Sequence, residues 1–302
     1  MKNQPRYTII RGEFHIFYPD LPRSGPQPDG DTVTFKPRDR SLVEGLERFS
    51  GRSPDFNGRG MIPVRFEGID ALETHFREMR QNLRGARAAR DNLLARLGFG
   101  RVTFWQDHPN NVQTVEHNPV EGFVFANGIE SNGRLLGLVY PGNAPDADGT
   151  RYRVEPDDLR KSINFRQVAD GLAYAELYDT MPMALQTALR QGLEAARTAE
   201  HGFWPHENVS TTRGATIGTL GQLEELVMWP KLFRRLAAYF AAGHAGLGAF
   251  DDWVRDDPVH RDDALRLPDG EAGNIHDIYE INGNALKLKF DSWKLTIAPD
   301  PA

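Results

Sequence analysis

The sequence has 302 residues, enough for one large domain or two ordinary ones, and its 39% hydrophobic and 26% charged residues are typical of a globular protein. It contains no cysteine, which excludes disulfides, thiolate metal sites and a cysteine nucleophile. The net charge of −6 argues against a general polyanion binder, although the first 100 residues carry 17 Lys and Arg against 13 Asp and Glu. We therefore expect any binding of phosphate groups to involve a small positively charged region rather than the whole surface.

No part of the sequence has the pattern of a targeting or membrane segment. The N-terminal residues lack an apolar run of the signal-peptide type. No stretch approaches the roughly 20 apolar residues that a membrane span needs. We therefore expect a cytoplasmic protein that does not contact a membrane.

The first predicted strands lead to an acidic side chain at a strand end. Residues 7–18 alternate as a strand or hairpin arm, and a proline-rich loop follows. Asp29-Gly30 is a turn signal before the alternating segment Thr32–Phe35, so Asp31 lies where turn and strand meet. Residues 36–60 are then predicted to form a short helix and a loop beside this position.

A second strand end brings three more charged residues. Residues 64–69 alternate as a half-buried strand that ends at Asp70, and a helical pattern follows over residues 74–97. Arg65, Asp70 and Glu73 are therefore expected to cluster. By itself, this pattern is more typical of a surface ion-pair cluster, which contributes little to stability.

The two strand ends together suggest a metal site. Calcium takes several oxygen ligands at roughly 2.3–2.6 Å, and carboxylates at two strand ends are able to share one ion. Asp31 and Asp70 are the candidate carboxylates, and the backbone carbonyl of Ala71 is a candidate third ligand. Glu73 is then placed to hold a water beside the metal.

The middle of the sequence predicts a meander followed by helices. Strand-like runs occur near residues 102–105, 112–115, 122–126 and 135–140. Asn132-Gly133-Arg134 is a turn whose arginine opens the last of these strands. Helices are predicted over residues 157–169 and 182–200, with a strand or turn at Gly171–Tyr178 between them.

These motifs, in this order, resemble the staphylococcal-nuclease-like (thermonuclease) family. The pieces that carry the resemblance are Asp29-Gly30-Asp31-Thr32, Arg65 with Asp70 and Glu73, Asn132-Gly133-Arg134, Gly171-Leu172-Ala173 and Phe203-Trp204. The resemblance covers roughly residues 7–204. It implies an α+β fold, in which helices pack on an OB-type five-stranded β-barrel. Ala71 and Leu72 depart from the threonine and proline that are usual in the family.

The resemblance also implies an activity and roles for these residues. The family members are calcium-dependent phosphodiesterases that cleave DNA and RNA to 5′-hydroxyl and 3′-phosphate products. In this sequence, Asp31, Asp70 and the Ala71 carbonyl would bind Ca²⁺, and Glu73 would orient or deprotonate the attacking water. Arg65 and Arg134 would donate to the phosphate, and Tyr178 is the candidate for stacking on a substrate base.

The last part of the sequence lies outside this resemblance. We predict a nuclease-like barrel domain over residues 1–206 and a separate helix-and-hairpin module over residues 207–302, used for a protein partner or for self-association. An apolar helical pattern over residues 223–242 is interrupted by Pro230. Residues 286–290 and 293–297 are predicted to form the hairpin.

Two other functions remain open at this level. The first is a non-catalytic OB-fold module that binds nucleic acid or protein. Retention of the five residues with charged side chains argues against it, namely Asp31, Arg65, Asp70, Glu73 and Arg134. The second is a nuclease subunit that acts as the effector of a larger assembly through its C-terminal module.

Overall fold

A computed structural model describes residues 7–298 of the chain. Two short ends lie outside the described residues. They are residues 1–6, which belong to the segment without a signal-peptide pattern, and residues 299–302, which end the predicted C-terminal module. The strands are β1 (Tyr7–His15), β2 (Thr32–Pro37), β3 (Ile62–Phe66), β4 (Ile69–Ala71), β5 (Val102–Phe104), β6 (Val112–Val115), β7 (Val120–Ile129), β8 (Leu135–Pro141), β9 (Arg151–Tyr152), β10 (Ala173–Ala175), β11 (Gly214–Thr216), β12 (Ala264–Arg266), β13 (Ala272–Asn274), β14 (Tyr279–Asn282), β15 (Ala285–Leu288) and β16 (Thr296–Ile297).

Eight α-helices lie within the described residues. They are α1 (Arg40–Glu44), α2 (Leu83–Leu97), α3 (Pro156–Leu159), α4 (Ile163–Ala169), α5 (Met183–Thr198), α6 (Leu220–Glu224), α7 (Pro230–Ala241) and α8 (Phe250–Arg255). Short 3₁₀ turns occur at Trp204–His206, Ile275–Ile278 and Ser292–Lys294. None of the helices within residues 7–298 is long and apolar enough to cross a membrane.

Five strands close into a β-barrel, which confirms the predicted α+β fold with a five-stranded barrel. The order around it is β1-β2-β3-β8-β7, and β7 pairs again with β1. β3 and β8 run parallel, and the other neighbours are antiparallel. Parallel neighbours need a long connection, and β4 to β7 with α2 provide it here.

The alternation of β2 and β3 decides which side chains face the candidate site. Val33, Phe35 and Val64 are buried in the barrel, because every second side chain of a strand points to the same side. Arg65 follows Val64 on β3 and therefore points out of the barrel. Its backbone partner on β2 is Thr32, the residue after Asp31.

The predicted helix over residues 74–97 is wrong over residues 74–82, because α2 begins only at Leu83. Asn82 caps the helix, and its side chain accepts from the Gly85 amide at 3.0 Å. Before it, Phe76 and Met79 close a tight turn, and the side chain of Gln81 donates to the Met228 carbonyl at 2.7 Å. Tertiary contacts therefore override the helical spacing of the apolar residues.

The C-terminal part contains helices and a hairpin, but the hairpin lies elsewhere than predicted. β14 pairs with β15 through a tight turn, whereas β16 pairs with β12. Pro230 is the first residue of α7, which agrees with the predicted interruption of the helical pattern. Proline is tolerated at this position because the N–H that it lacks would have no partner within the helix.

The buried apolar residues form one continuous cluster on both sides of residue 206. Trp229, Phe233 and Leu236 belong to the same cluster as the barrel residues, and α7 lies against β4. The boundary between residues 206 and 207 stays a prediction. The contact of α7 with β4 matters because β4 carries Asp70.

Candidate functional site

A cleft of about 1110 Å³ on one side of the barrel contains most of the predicted site residues. Its walls include Asp31 and Arg65 from the barrel, Glu73 from the segment after β4, and Arg134 from the turn before β8. The segment 36–60 also contributes to the wall, as expected from its place in the sequence. The cleft therefore collects residues from distant parts of the chain.

Asp31 is held at the start of β2 by contacts to both of its carboxylate oxygens. Oδ1 accepts from Nη1 of Arg65 at 2.5 Å and from the Thr32 hydroxyl at 3.1 Å. Oδ2 accepts from the backbone amide of Ala71 at 2.8 Å. Asp31 thus joins β2 to β3 and to β4, and its side chain is almost completely buried.

A glycine turn places Asp70 beside this pair. Gly68 separates β3 from β4 with a φ of +80°, and a Cβ here would lie 2.6 Å from a methyl of Leu189. β4 then continues antiparallel to β10 and carries Asp70 with 0% exposure. Its Oδ1 accepts from Nη2 of Arg65 at 2.7 Å.

A second arginine also binds Asp70 and contacts both of its carboxylate oxygens. Arg234 of α7 donates through Nη1 and Nη2 to the two oxygens of Asp70, each at 3.0 Å. Its Nη1 also contacts Glu73 Oε1 at 2.6 Å, and its Nη2 lies 3.6 Å from Glu176 Oε1. Bidentate arginine–carboxylate pairs of this kind are among the stronger polar contacts in proteins.

We call Asp31, Asp70, Glu73 and Glu176 the carboxylate cluster. Burial alone would raise the pKa of Asp70, but Arg234 and Arg65 hold it below its ordinary value. Burial raises the pKa of Glu73 to about 7, and the nearby Asp70 and Asp31 add to this shift while Arg234 opposes it. Glu73 is therefore poised to gain or lose a proton near neutral pH.

Arg134 lines the same cleft but does not reach the carboxylate cluster. Its Nε donates to Glu130 Oε1 at 3.1 Å, and about 29% of its side chain is exposed. Burial would raise the pKa of Glu130, but Arg134 lowers it below its ordinary value. Arg134 is thus the most exposed of the predicted site residues that carry a positive charge.

Tyr178 also lines the cleft and is half-buried. Nζ of Lys231 lies 5.7 Å from the centre of its ring. Burial, together with Glu176, raises the pKa of the Tyr178 hydroxyl to about 12, so this group stays protonated. A role in stacking on a base stays a prediction.

The sequence analysis missed two residues of this site. Glu176 is a lone charge in the buried run from Ala173 to Leu177, and it contacts Arg65 at 3.2 Å. Arg234 likewise interrupts the apolar pattern of α7. A charged residue inside an apolar run was the available signal for both, since such a residue is buried only with a partner.

The predicted Ca²⁺ ligands do not fit a calcium ion in this arrangement. Both oxygens of Asp31 and both oxygens of Asp70 already accept from nitrogen donors, and Arg234 lies between Asp70 and Glu73. Within residues 7–298, no group of three or more His, Asp or Glu side chains is placed to hold a metal ion. Calcium binding stays a prediction, and it would require Arg234 to leave.

Comparison with known proteins adds no identification, because no protein-family model and none of the curated proteins searched matches this chain.

Proposed function

We propose that this protein is a phosphodiesterase that cleaves DNA or RNA, built on an OB-type, nuclease-like barrel and acting in the cytoplasm. The supporting observation is the convergence of Asp31, Arg65, Asp70 and Glu73 in one buried network at a cleft that Arg134 also lines. These residues come from strands and turns that are far apart in sequence, and the family resemblance assigns chemistry to the same set.

The side chains supply two functions that phosphodiester cleavage needs. Arginine binds phosphate oxygens with a planar fork, so its hydrogen bonds strengthen as negative charge builds on the phosphorus. Arg134 is partly exposed to the cleft and would exchange its Glu130 partner for a phosphate oxygen. Glu73, with a pKa of about 7, would accept a proton from the attacking water.

The reaction assigned here has no step that uses calcium. A metal ion would polarise the phosphate and lower the pKa of a bound water, but its predicted ligands hold guanidinium groups in this structure. The products that the resemblance implies are a 5′-hydroxyl and a 3′-phosphate. The C-terminal part would still be available to a protein partner, as predicted from the sequence.

The saturated ion pairs favour one alternative, a non-catalytic nucleic-acid-binding module. Arg65 has three carboxylate partners, so it has little capacity left for substrate. A module of this kind would bind nucleic acid through the exposed arginines without cleaving it. Binding and cleavage therefore have to be measured together.

The test is cleavage of single-stranded DNA, double-stranded DNA and RNA, each with calcium and with a chelator. Glu73→Gln should reduce the rate roughly 10²–10⁴-fold if Glu73 acts as the base. Arg134→Ala should lower turnover more than binding, because its donors act mainly on the transition state. Glu194→Gln and Arg101→Ala, both exposed and outside the cleft, are the matched controls.

The outcomes separate the two functions. Cleavage that falls in Glu73→Gln but not in Glu194→Gln supports the phosphodiesterase. Binding without cleavage of any of the three substrates supports the binding module. Full activity in both Glu73→Gln and Arg134→Ala would show that the nuclease, if present, uses another site.

A further inference from the structure

The position of Arg234 is determined by the packing of α7 rather than by a loop. Leu232, Phe233 and Leu236 of this helix are completely buried, and the helix lies against β4. Arg234 is on the helix face that also carries Lys231, and both side chains line the cleft. Rigid packing of the helix therefore brings a positive charge to Asp70, which is 164 residues away in sequence.

Arg234 makes its contacts where the sequence predicts calcium ligands. It binds both oxygens of Asp70 and one oxygen of Glu73. Arg65 donates to Oδ1 of Asp70, one of the oxygens that Arg234 contacts, and also reaches Asp31. The predicted metal carboxylates are thus already bridged by two guanidinium groups.

The charge of the carboxylate cluster explains why a cation is needed at this place. Four carboxyl groups lie close together with little exposure, and the cost of removing a charge from water is several kcal/mol per ion unless it is paired. Without Arg234, Asp70 would keep only Arg65 as an arginine partner, and Glu73 would have no arginine partner. Arg234 supplies the missing positive charge from within the chain.

We propose that Arg234 is a built-in substitute for a divalent cation, so that the carboxylate cluster excludes calcium and residues of the C-terminal part complete the site. One consequence of this proposal, that cleavage needs no divalent metal, rests on the proposed function. The exclusion of calcium itself does not depend on the protein being a nuclease. The two statements are therefore measured separately.

The first measurement is calcium binding to the full chain after treatment with a chelator, by calorimetry and by the calcium dependence of the melting temperature. Wild type and the control Arg255→Met should not bind calcium, since Arg255 is an exposed arginine paired with Asp251 outside the cleft. Arg234→Met removes the guanidinium and keeps an apolar stem. It should bind one calcium ion per chain with a dissociation constant of roughly 10⁻⁵–10⁻³ M, and the added substitution Asp70→Asn should abolish this binding.

Each outcome decides the proposal. Calcium binding to wild type that Asp70→Asn abolishes would overturn it, and so would a folded Arg234→Met that binds no calcium. If Arg234→Met does not fold in chelator, millimolar calcium should restore its folding, and failure to do so would also overturn it. No cleavage by wild type or by any variant, with calcium or with chelator, would refute only the proposed nuclease activity if the calcium binding is as expected.

Discussion

Asp70→Asn is the substitution that tests the buried network most directly. Asp70 is completely buried and accepts hydrogen bonds from Arg65 and from both terminal nitrogens of Arg234. Asparagine has the same size but no charge. Its amide nitrogen would also face a guanidinium donor, so at least one hydrogen bond is lost.

The structure indicates a large effect on stability. Removing one partner of a buried ion pair typically costs about 3–5 kcal/mol, because the other charge stays buried without compensation. Arg65 keeps Asp31 and Glu176, so most of the cost falls on Arg234, whose remaining close partner is Glu73. At about 2 °C per kcal/mol for a chain of this size, the melting temperature should fall by roughly 6–10 °C.

The assay is urea unfolding followed by tryptophan fluorescence. Asp157→Asn is the matched control, because Asp157 pairs with Arg160 at 2.7 Å but its side chain is 87% exposed. Exposed pairs contribute little, so this control should change the free energy of unfolding by no more than about 0.5 kcal/mol. The double variant Asp70→Asn/Arg234→Met should recover part of the loss. Equal effects of Asp70→Asn and Asp157→Asn would refute the network as described.

Three further predictions concern the pH dependence and the packing of the site. The pKa of Glu73 in the folded protein is about 7, above its ordinary value of 4.5. Its contribution to stability is therefore present below about pH 4.5 and is lost as the pH rises to about 7. Glu73→Gln should remove this loss in unfolding curves taken across that range. If the chain cleaves nucleic acid, the cleavage rate should rise with pH through about 7. Arg234→Met should move this rise to higher pH, since Arg234 lowers the pKa of Glu73. An unchanged pH profile of the cleavage rate would exclude Glu73 as the titrating base. Gly30→Ala would place a Cβ 2.5 Å from the Cβ of Ala71 and 2.8 Å from that of Ala89, so we expect a loss of about 1–3 kcal/mol in urea unfolding, whereas Gly58→Ala, at an open position, should be nearly neutral.

Much of the barrel was predictable because its strands alternate with a period of two. Val33 and Phe35 on β2 and Val64 on β3 are apolar at every second position, and they are buried in the structure. The same alternation places Arg65 on the outer face, and the turn signal at Asp29-Gly30 places Asp31 just before β2. The predicted single strand over residues 64–69 is wrong, because a turn at Gly68 divides it into β3 and β4 and leaves Asp70 in the middle of β4. Local pattern therefore predicted the positions of Arg65 and Asp31, but not the strand that carries Asp70.

The start of α2 and the pairing of the last strands were not predictable from local pattern. Residues 74–82 have helical spacing, but Gln81 bonds to the Met228 carbonyl, which is 147 residues away. The strand Thr296–Ile297 pairs with β12 instead of forming a hairpin with its neighbour. In both places, a long-range hydrogen bond replaces the local structure that the pattern favours.

The sequence by itself determined most of the barrel strands, because an alternation of period two acts over a few residues. The choice of Asp31, Arg65, Asp70, Glu73 and Arg134 as a set came from the family resemblance of their motifs. Only the tertiary structure decided which positive charge these carboxylates receive. Arg234 is distant in sequence and lies in a helix whose pattern indicates only core packing, so nothing local connects it to Asp70. The packing of α7 against β4 makes that connection, because a buried carboxylate is stable only where the fold brings a cation within hydrogen-bonding distance.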